Sequence, residues 1–560
     1  MNPRPYDGLV ARGVPRAAGY PMTRDRAIAD LRVVARTWLA LAVVLVAAAA
    51  VRLWAINSVG FNNDEAVYSG QGAALAADPI YSGLFAIFRA HPLLVQFLDS
   101  VAFRLFGVGD VAPRLISVAF GLGGVALAYA TGSLLYTKRV GLIAAAVLAL
   151  MPYHVIVTRQ ALLDGPETTL FLLTIYLLSR YARGGQARWL YFAAFGAGLT
   201  VLAKETAILL VPVIVAFLLL APEVRVPIKR LLVALAVFVI AFGPYPAAIL
   251  IGRGTNAAQA FFIWEVLRQP NHSWTFYWDV LPAAVGPLVV VAGAAGLFVA
   301  IRRGHWEDRL LVAWIAIPIA FFEVWPVKGF QYLLPIAPAI AILVGLAFDR
   351  LFEFGDRLAR QGRATADAPL GAAPEPGAPA STRSRAARPR SIAPFACGVL
   401  LASTIATIAI PTALAVNSTT MTGSLAGTGG LPGGREAGLW IKANVPQGAA
   451  FLTTGPTLGN IVEFYGQRQA YGLSVSPNPL RRNPAYDPIV NPDRALQLSE
   501  IQYIATDIWS AQRSPFFAGL MNRYIARYHG FLVYQQSAQV RDDSGRLSTQ
   551  IVIKIYEVRP

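Results

Sequence analysis

The sequence predicts an α-helical polytopic membrane protein with about 11 transmembrane helices and a C-terminal soluble α/β domain. Of its 560 residues, 56% are hydrophobic and only 14% are charged, and the mean hydropathy is +0.51. Soluble proteins carry about a quarter charged residues. The apolar residues form long runs near the length of about 20 that crosses a bilayer. Beyond residue 434 these runs stop, and short β-rich segments alternate with helical ones.

Eleven apolar spans precede this last domain. They lie at about residues 37–56, 112–135, 140–157, 166–180, 189–203, 206–221, 231–251, 280–301, 310–325, 330–349 and 394–416. Several are short, so their ends are expected to shift by a few residues in the folded protein. No internal repeat is evident, which argues against a transporter built from inverted halves.

Positive charge is distributed unevenly among the segments that connect these spans. If the N-terminus is cytoplasmic, the cytoplasmic segments hold 26 Lys and Arg residues and the opposite loops hold seven. The positive-inside rule therefore predicts a cytoplasmic N-terminus, and the odd number of spans places the C-terminal domain outside. The same topology accounts for the net charge of +17, so no nucleic-acid partner is expected. The expected location is a bacterial cytoplasmic (inner) membrane.

Composition divides the chain further. The expected units are a cytoplasmic basic N-terminus (1–36), a transmembrane core (37–349) with a long first outer loop (57–111), a disordered cytoplasmic linker (350–393), a last transmembrane helix (394–416), a second linker (417–434) and an extracytoplasmic α/β domain (435–560). The linker prediction rests on Ala, Pro and Arg, which cannot build a core. The single cysteine, Cys397, excludes an intrachain disulfide and a cysteine-only metal site.

In that domain we expect strands at 450–454, 501–505, 531–534 and 551–556, and helices at 436–444, 457–465 and 515–528. The domain carries no phosphate-loop or dinucleotide glycine pattern, so no catalytic role is assigned to it.

Ionisable residues collect on the predicted outer side. Asp64 and Glu65 follow the first span directly, and the cations Arg159, Lys204 and Lys328 lie at or near the same face. Such groups are costly at membrane depth and persist where they pair or line a cavity, so a hydrated pocket is expected. A set of solvated loop charges is the alternative.

Several short motifs occur in a fixed order along this topology. They are Asn63-Asp64-Glu65-Ala66-Val67-Tyr68, His91-Pro92-Leu93-Leu94, Arg104-Leu105-Phe106-Gly107, Ala112-Pro113-Arg114-Leu115, Arg159-Gln160-Ala161-Leu162-Leu163-Asp164, Ala203-Lys204-Glu205 and Lys328-Gly329-Phe330-Gln331-Tyr332-Leu333-Leu334-Pro335. Over about residues 37–350 the series resembles the membrane-embedded glycosyltransferases of the GT-C fold. It is most similar to the branch of protein mannosyltransferases and aminoarabinose-transferase-like enzymes (family 39 and 83-like). It also resembles actinobacterial arabinosyl- and mannosyltransferases.

The resemblance implies an inverting glycosyltransferase that moves a sugar from a polyprenyl-phosphate donor to an acceptor hydroxyl. It implies Asp64 as the general base, which suffices for a single displacement. Arg159, Lys204, Lys328 and Tyr332 are then the expected donor phosphate-binding residues, because cations stabilise an anionic leaving group.

Three further residues are expected to support the acceptor or the site. Glu65 would bind the acceptor or tune Asp64. Asp164 would hold Arg159 or Lys204, or would instead cap the fourth span. His91 and Glu65 are candidate ligands for a possible divalent metal, as some members of the family use one, although the sequence shows no clustered metal-ligand spacing.

The acceptor class stays open among a glycan, a lipid and a protein. A transporter or flippase of a lipid-linked sugar is the main alternative function, and it would place charges in mid-span. A non-catalytic scaffold, whose C-terminal domain binds envelope polymers, is the third. Membrane lipid is an expected partner in each case.

Overall fold

The structure is a computed structural model that describes residues 24–87, 92–251, 255–366, 393–417, 431–483, 486–541 and 546–559. His91, most of residues 350–393 and most of residues 417–434 therefore lie outside the described residues. The helices of the membrane part are α1 (Arg24–Leu53), α2 (Asn63–Leu75), α3 (Pro79–Leu84), α4 (Leu94–Phe106), α5 (Val111–Leu135), α6 (Lys138–Leu150), α7 (Pro152–Val157), α8 (Asp164–Gly184), α9 (Ala187–Ala203), α10 (Leu210–Leu220), α11 (Ile228–Phe242), α12 (Pro244–Ile251), α13 (Thr255–Leu267), α14 (Phe276–Val285), α15 (Pro287–Arg303), α16 (Trp306–Val324), α17 (Ala337–Ala366) and α18 (Ala393–Asn417). Two 3₁₀ helices, Glu205–Leu209 and Phe330–Ile336, precede α10 and α17.

Each predicted span coincides with a helix or with a pair of consecutive helices, and the protein is a multi-pass membrane protein. Among the described residues, four helices are long and apolar enough to cross a membrane, or up to six if each bent pair is one span. The bent pairs are α11 with α12, at 44°, and α14 with α15, at 104°. Proline begins the second helix of each pair, where its missing N–H costs nothing.

The membrane part packs around α6 and α17, whose residues are among the most buried in the chain. Glycine allows this close packing: a Cβ on Gly132 of α5 would lie 2.9 Å from the Cα of Gly141 on α6. Small residues at such crossings let helix backbones approach closely in a lipid environment.

Helix α17 runs further than the sequence indicated. The disordered linker was predicted to begin at residue 350, but the helix continues to Ala366, so this boundary was wrong. Leu351 and Phe352 still pack on the core, and Glu353 pairs with Arg350 and Arg357 at helical spacing. Such pairs stabilise a helix beyond the membrane part, whereas the linker reading relied on composition alone.

Three helices, α2 to α4, form most of the long first loop. Helices α2 and α3 lie in the part of the loop that directly follows the first span. Gly72 of α2 lies against Asp99 and Phe103 of α4, so the two helices are in direct contact. The loop is therefore a packed unit on which the site is built.

The C-terminal domain has a five-stranded sheet of order β2-β1-β3-β5-β4. The strands are β1 (Ala450–Thr453), β2 (Gln469–Gly472), β3 (Tyr503–Asp507), β4 (Phe531–Arg541) and β5 (Leu547–Glu557), and the helices are α19 (Gly434–Asn444), α20 (Pro456–Ile461), α21 (Pro492–Gln497), α22 (Ile508–Arg513) and α23 (Pro515–Arg527). A single π turn, Val462–Gly466, extends α20, and a short 3₁₀ turn spans Pro479–Arg481. Strands β2, β1 and β3 are parallel, and β5 and β4 are antiparallel.

Four of the five strands match the predicted segments. Strand β2 was not predicted, because its sequence Gln-Ala-Tyr-Gly is short and carries no apolar alternation. It lies at the edge of the sheet, where pairing with β1 is sufficient to order it.

Candidate active site

The site begins at the N-terminus of α2, where Asn62 caps the helix. The Asn62 Oδ1 accepts from the Glu65 backbone N–H at 2.9 Å, and the Asn62 N–H donates to Glu65 Oε2 at 3.0 Å. This reciprocal capping box fixes the first turn of α2, which carries Asp64. Negative charge is favourable there because the helix dipole is positive at its N-terminus.

Glu65 is fully buried and makes a second set of contacts. Arg114 of α5 donates from Nε to Oε1 at 2.8 Å and from Nη2 to Oε2 at 2.9 Å. The Ala161 N–H also donates to Oε1, at 2.9 Å. A carboxylate offers about four acceptor positions, and these contacts together with Asn62 fill them. In this conformation Glu65 holds α2, α5 and the chain at 161 together and has no position left for a metal or an acceptor hydroxyl.

The other donors of Arg114 hold the chain that joins α1 to α2. Its guanidinium donates to the carbonyls of Ile56, Val59 and Gly60 at 2.7–3.0 Å. This segment has no secondary structure of its own, so its backbone carbonyls need partners. Arg114 therefore fixes both the entry to α2 and its first turn, and it was not among the predicted site residues.

Asp64 is half-buried, and the Asn63 side-chain amide donates to its Oδ1 at 3.1 Å. It lies close enough to interact electrostatically with Asp164, which begins α8, and with Tyr68 one turn further along α2. Burial raises the pKa of the Tyr68 hydroxyl, and the carboxylates of Asp64, Asp164 and Glu205 raise it further. Tyr68 therefore stays protonated among these acids.

Lys204 supplies a buried cation to this group of acids. Its Nζ donates to Asp164 Oδ1 at 2.6 Å and lies 4.9 Å from the centre of the Tyr332 ring. Of the two partners considered for Asp164, the structure therefore selects Lys204. Asp164 occupies the first helical position of α8 without capping it, since the cap position belongs to Leu163. Beside this pair, Glu167 accepts from the Thr206 hydroxyl at 2.9 Å.

Lys328 lies near this pair, because Tyr277, which contacts its ammonium, also interacts electrostatically with Lys204 and Tyr332. Its Nζ donates to the carbonyls of Phe322 and Glu323 and to Glu323 Oε2, at 2.8–3.2 Å. The ammonium also lies 5.2 Å from the Trp274 ring and 5.1 Å from the Tyr277 ring. Three oxygen acceptors match the three N–H donors of a lysine. Another ligand must therefore displace one of them to reach Lys328.

Arg159 takes a different position from the two lysines. Its Nη2 donates to the Trp54 carbonyl at 2.6 Å and its Nη1 to the Val416 carbonyl at 3.3 Å. These carbonyls end α1 and α18, so Arg159 joins the two helix ends. Among its charged neighbours are Glu65 and Arg114, and the contacts described for it do not include Lys204 or Lys328.

The C-terminal domain reaches the site directly. Asn460 donates to Asn63 Oδ1 at 2.7 Å, and the Asn63 amide donates to the Tyr486 hydroxyl at 3.2 Å. The Tyr465 hydroxyl accepts from the Phe61 N–H at 2.7 Å and donates to Asp110 Oδ2 at 2.9 Å. No local pattern marks Asn460, Tyr465 or Tyr486, because their roles depend on contacts with residues far away in the chain.

The predicted residues thus form one group and several outliers. Asp164 interacts with Asp64, Lys204 and Tyr332, and Lys328 lies nearby, on the ring of Tyr277. Arg159 and Glu65 serve the framework around them. The residues described hold no group of three or more His, Cys, Asp or Glu that suits a metal ion, and His91 lies outside them.

Comparison with known proteins shows which families the chain resembles. Residues 90–249 match the model of the dolichyl-phosphate-mannose-protein mannosyltransferase family. The undecaprenyl phosphate-alpha-4-amino-4-deoxy-L-arabinose arabinosyl transferase of Aeromonas salmonicida is 27% identical over 291 residues, or 48% of this chain and 52% of that protein. The chain spans about half the length of the curated relatives that it matches.

Solved structures extend the likeness over most of the chain. The crystal structure of ArnT from Cupriavidus metallidurans superimposes with a TM-score of 0.64 at 15% identity, over 94% of this chain and 98% of that one. ArnT has also been solved bound to undecaprenyl phosphate. The oligosaccharyltransferase of Archaeoglobus fulgidus gives a TM-score of 0.58 at 13% identity, over 92% of this chain and 74% of that one. The chain has the GT-C fold and resembles its protein-mannosyltransferase and aminoarabinose-transferase-like branch, as the ordered motifs predicted.

Proposed function

We propose that this protein is an inverting glycosyltransferase that moves a sugar from a polyprenyl-phosphate donor to an acceptor hydroxyl. The observation that carries the proposal is the half-buried Asp64, on the fixed first turn of α2, beside the buried Lys204–Asp164 pair. A relative of this fold that binds undecaprenyl phosphate supports a lipid-linked donor.

In the proposed reaction, the acceptor oxygen attacks the anomeric carbon. The bond between that carbon and the phosphate oxygen of the donor breaks. The acceptor proton passes to Asp64, and polyprenyl phosphate leaves as an anion. One carboxylate is sufficient for this single displacement, which inverts the anomeric configuration. The Asn63 amide, which donates to Asp64 Oδ1, leaves Oδ2 as the oxygen that takes the proton.

Lys204 is the cation best suited to the leaving phosphate. Its described contacts use one of three N–H donors, on Asp164, whereas those of Lys328 use all three. Fixed cations in a dry site stabilise developing negative charge with little reorganisation. The Tyr332 hydroxyl, next to Lys204, can donate a further hydrogen bond to the phosphate. Lys328 contacts the phosphate once the lipid-linked sugar displaces one of the carbonyls that bind its ammonium. Arg159 acts on the donor only indirectly, by holding the ends of α1 and α18.

The reaction takes place at the outer face of a bacterial cytoplasmic membrane in this proposal. The distribution of positive charge supports a cytoplasmic N-terminus, and the C-terminal domain touches Asn63 beside Asp64, so the domain and the site lie on the same side. Labelling of cysteines introduced at exposed Lys442 and at Arg183, on opposite predicted sides, in intact cells tests this orientation. Labelling from outside at 183 would contradict it.

The central experiment compares Asp64→Asn with the wild type, purified in detergent and supplied with radiolabelled polyprenyl-phosphate sugars. Mannose, arabinose, glucose and aminoarabinose donors form the panel. We expect Asp64→Asn to abolish transfer while donor binding is retained. Asp279→Asn, an exposed acid at the start of α14, is the matched control. Full transfer by Asp64→Asn would refute the proposal.

A further inference from the structure

The loop at residues 268–275, which joins α13 to α14, contacts the backbone of Lys328 through one side chain. The Asn271 Nδ2 donates to the Lys328 carbonyl at 3.0 Å, and the Asn271 Oδ1 accepts from the Lys328 backbone N–H at 2.8 Å. The two residues are 57 positions apart in the sequence. A single side chain therefore pairs with both backbone groups of Lys328.

The place of Lys328 in the fold explains why its backbone needs this partner. Lys328 is buried, and residues 325–329, between α16 and the 3₁₀ helix Phe330–Ile336, form no helix or strand. Buried backbone N–H and C=O groups nevertheless require hydrogen bonds. A carboxamide carries an oxygen acceptor and N–H donors side by side, which suits the N–H and the C=O of one residue.

The chain that follows Asn271 also contacts the Lys328 side chain. The Trp274 and Tyr277 rings lie 5.2 and 5.1 Å from the ammonium, a distance at which a ring attracts a cation. The Tyr277 hydroxyl donates to the carbonyl of Gly329 at 3.3 Å. Residues 271–277 therefore hold Lys328 both at its backbone and at its ammonium.

The backbone contact matters most when the lysine side chain moves. In the proposed function, the donor phosphate displaces one of the oxygens that bind the Lys328 ammonium. Lysine has a flexible four-carbon stem, so the position of its Cα sets which points its ammonium can reach. If that Cα is fixed before the donor arrives, less conformational freedom is lost on binding, and the donor binds more tightly.

We propose that Asn271 is a positioning residue for donor binding, which fixes the backbone of Lys328 so that its ammonium reaches the phosphate of the lipid-linked sugar. This inference rests on the proposed function, in which Lys328 contacts that phosphate. Because Asn271 acts through Lys328 and not on the reacting atoms, its effect falls on donor binding and not on the chemical step.

A double-mutant cycle tests whether Asn271 acts through Lys328. Asn271→Leu keeps the approximate size of an exposed side chain and removes both hydrogen bonds. With the full chain in detergent and a lipid-linked donor that the wild type accepts, we expect this variant to raise KM for the donor by roughly fivefold, with kcat within about twofold of the wild type. In the Lys328→Met background, the same substitution should change KM by less than about twofold.

An effect on folding alone would give a different pattern. It would raise KM for the donor by the same factor in both backgrounds, and this result would overturn the inference. An Asn271→Leu variant with the wild-type KM would overturn it as well. Asn444→Leu is the matched control, because it replaces an exposed Asn whose amide donates to the Trp440 carbonyl within α19, and it should keep the wild-type KM.

A binding measurement separates this inference from the proposed function. Equilibrium binding of undecaprenyl phosphate to the purified protein needs no turnover, and Asn271→Leu should weaken it, but not in the Lys328→Met background. If the wild type binds this lipid but transfers no sugar, the proposed function fails, and the binding cycle still decides the role of Asn271. If transfer occurs and Asn271→Leu keeps both the wild-type KM and the wild-type affinity, only this inference fails. A wild type that binds no undecaprenyl phosphate and transfers no sugar would overturn both.

Discussion

The guanidinium of Arg114 binds both carboxylate oxygens of Glu65, at 2.8 and 2.9 Å, and both side chains are buried. The neighbouring acid, Asp64, is half-buried and has only one described side-chain hydrogen bond, from Asn63. The two adjacent carboxylates therefore have different roles. Glu65 fixes the first turn of α2, and that turn positions Asp64.

Removal of the Glu65 charge should destabilise the protein. Glu65→Gln leaves Arg114 buried without its counter-ion, and breaking a buried pair in this way costs about 3–5 kcal/mol. We expect a lower thermal unfolding temperature and a loss of sugar transfer. Glu436→Gln, in a half-exposed pair with Arg435, is the control and should cost less than about 1 kcal/mol. An unchanged unfolding temperature in Glu65→Gln would contradict this role.

The two lysines should differ in their effect on the donor. Lys204→Met removes a cation whose described hydrogen bonds use one of its three N–H donors. The described hydrogen bonds of Lys328 use all three. A lost charged hydrogen bond is worth about 1.5–3 kcal/mol, so we expect Lys204→Met to raise KM for the donor more than tenfold and Lys328→Met to raise it less.

Because Lys204→Met also leaves Asp164 unpaired, the double variant Lys204→Met/Asp164→Asn serves as the stability control. It should recover the unfolding temperature and not the donor affinity. Lys442→Met, at an exposed position, controls for loss of a positive charge. Equal donor saturation in both single variants and the wild type would remove these lysines from the phosphate site.

Docking of the C-terminal domain should depend on the Tyr465 hydroxyl. Tyr465→Phe leaves the Phe61 N–H and one bond of Asp110 without a partner, at a cost of about 1–3 kcal/mol for a buried group. We expect faster hydrogen exchange at residues 57–62 and slower transfer. Tyr503→Phe, which keeps its ring stacking on Phe451, is the control. Unchanged exchange at 57–62 would show that the domain is held by other contacts.

Asp99 should make stability depend on pH. Among the described residues its two carboxylate oxygens, buried between α4 and α2, have no hydrogen-bond partner, and burial raises its pKa well above the ordinary value. Between the unfolded pKa, near 3.9, and the raised folded pKa, only the folded state binds this proton, so stability falls as pH rises. The contribution is fully present below about pH 4 and is lost as pH rises through the folded pKa.

The Asp99→Asn variant tests that linkage, because it removes the titrating group while keeping the shape. We expect its unfolding temperature to exceed that of the wild type increasingly as pH rises toward neutrality. Thermal unfolding measured across about pH 4 to 9 gives the comparison. A wild-type pH profile in Asp99→Asn would assign the dependence to another group.

The sequence was sufficient for the helices of the predicted apolar spans and for the order of the motifs, but not for α4, α13, α21 and α22. Apolar runs of near-membrane length can only be satisfied as helices in lipid, so all eleven predicted spans occur as helices or helix pairs. Their bends were not predicted, because the break at Gly286-Pro287 depends on the packing around it. Likewise, α17 continues beyond residue 349, where its span was predicted to end, because charged pairs along the helix stabilise it.

By itself the sequence determined that Asp64 and Glu65 follow the first span directly and that Arg159, Lys204 and Lys328 lie at or near the same predicted face. Only the tertiary structure decided the partners: Lys204 and not Arg159 for Asp164, Arg114 for Glu65, and Asn460 for Asn63, 397 residues away. Local patterns specify which groups are polar and where helices begin. Helix packing decides which of several similar cations pairs with a given acid. The cost of removing a buried charge from water is offset only by a partner that the fold brings within reach.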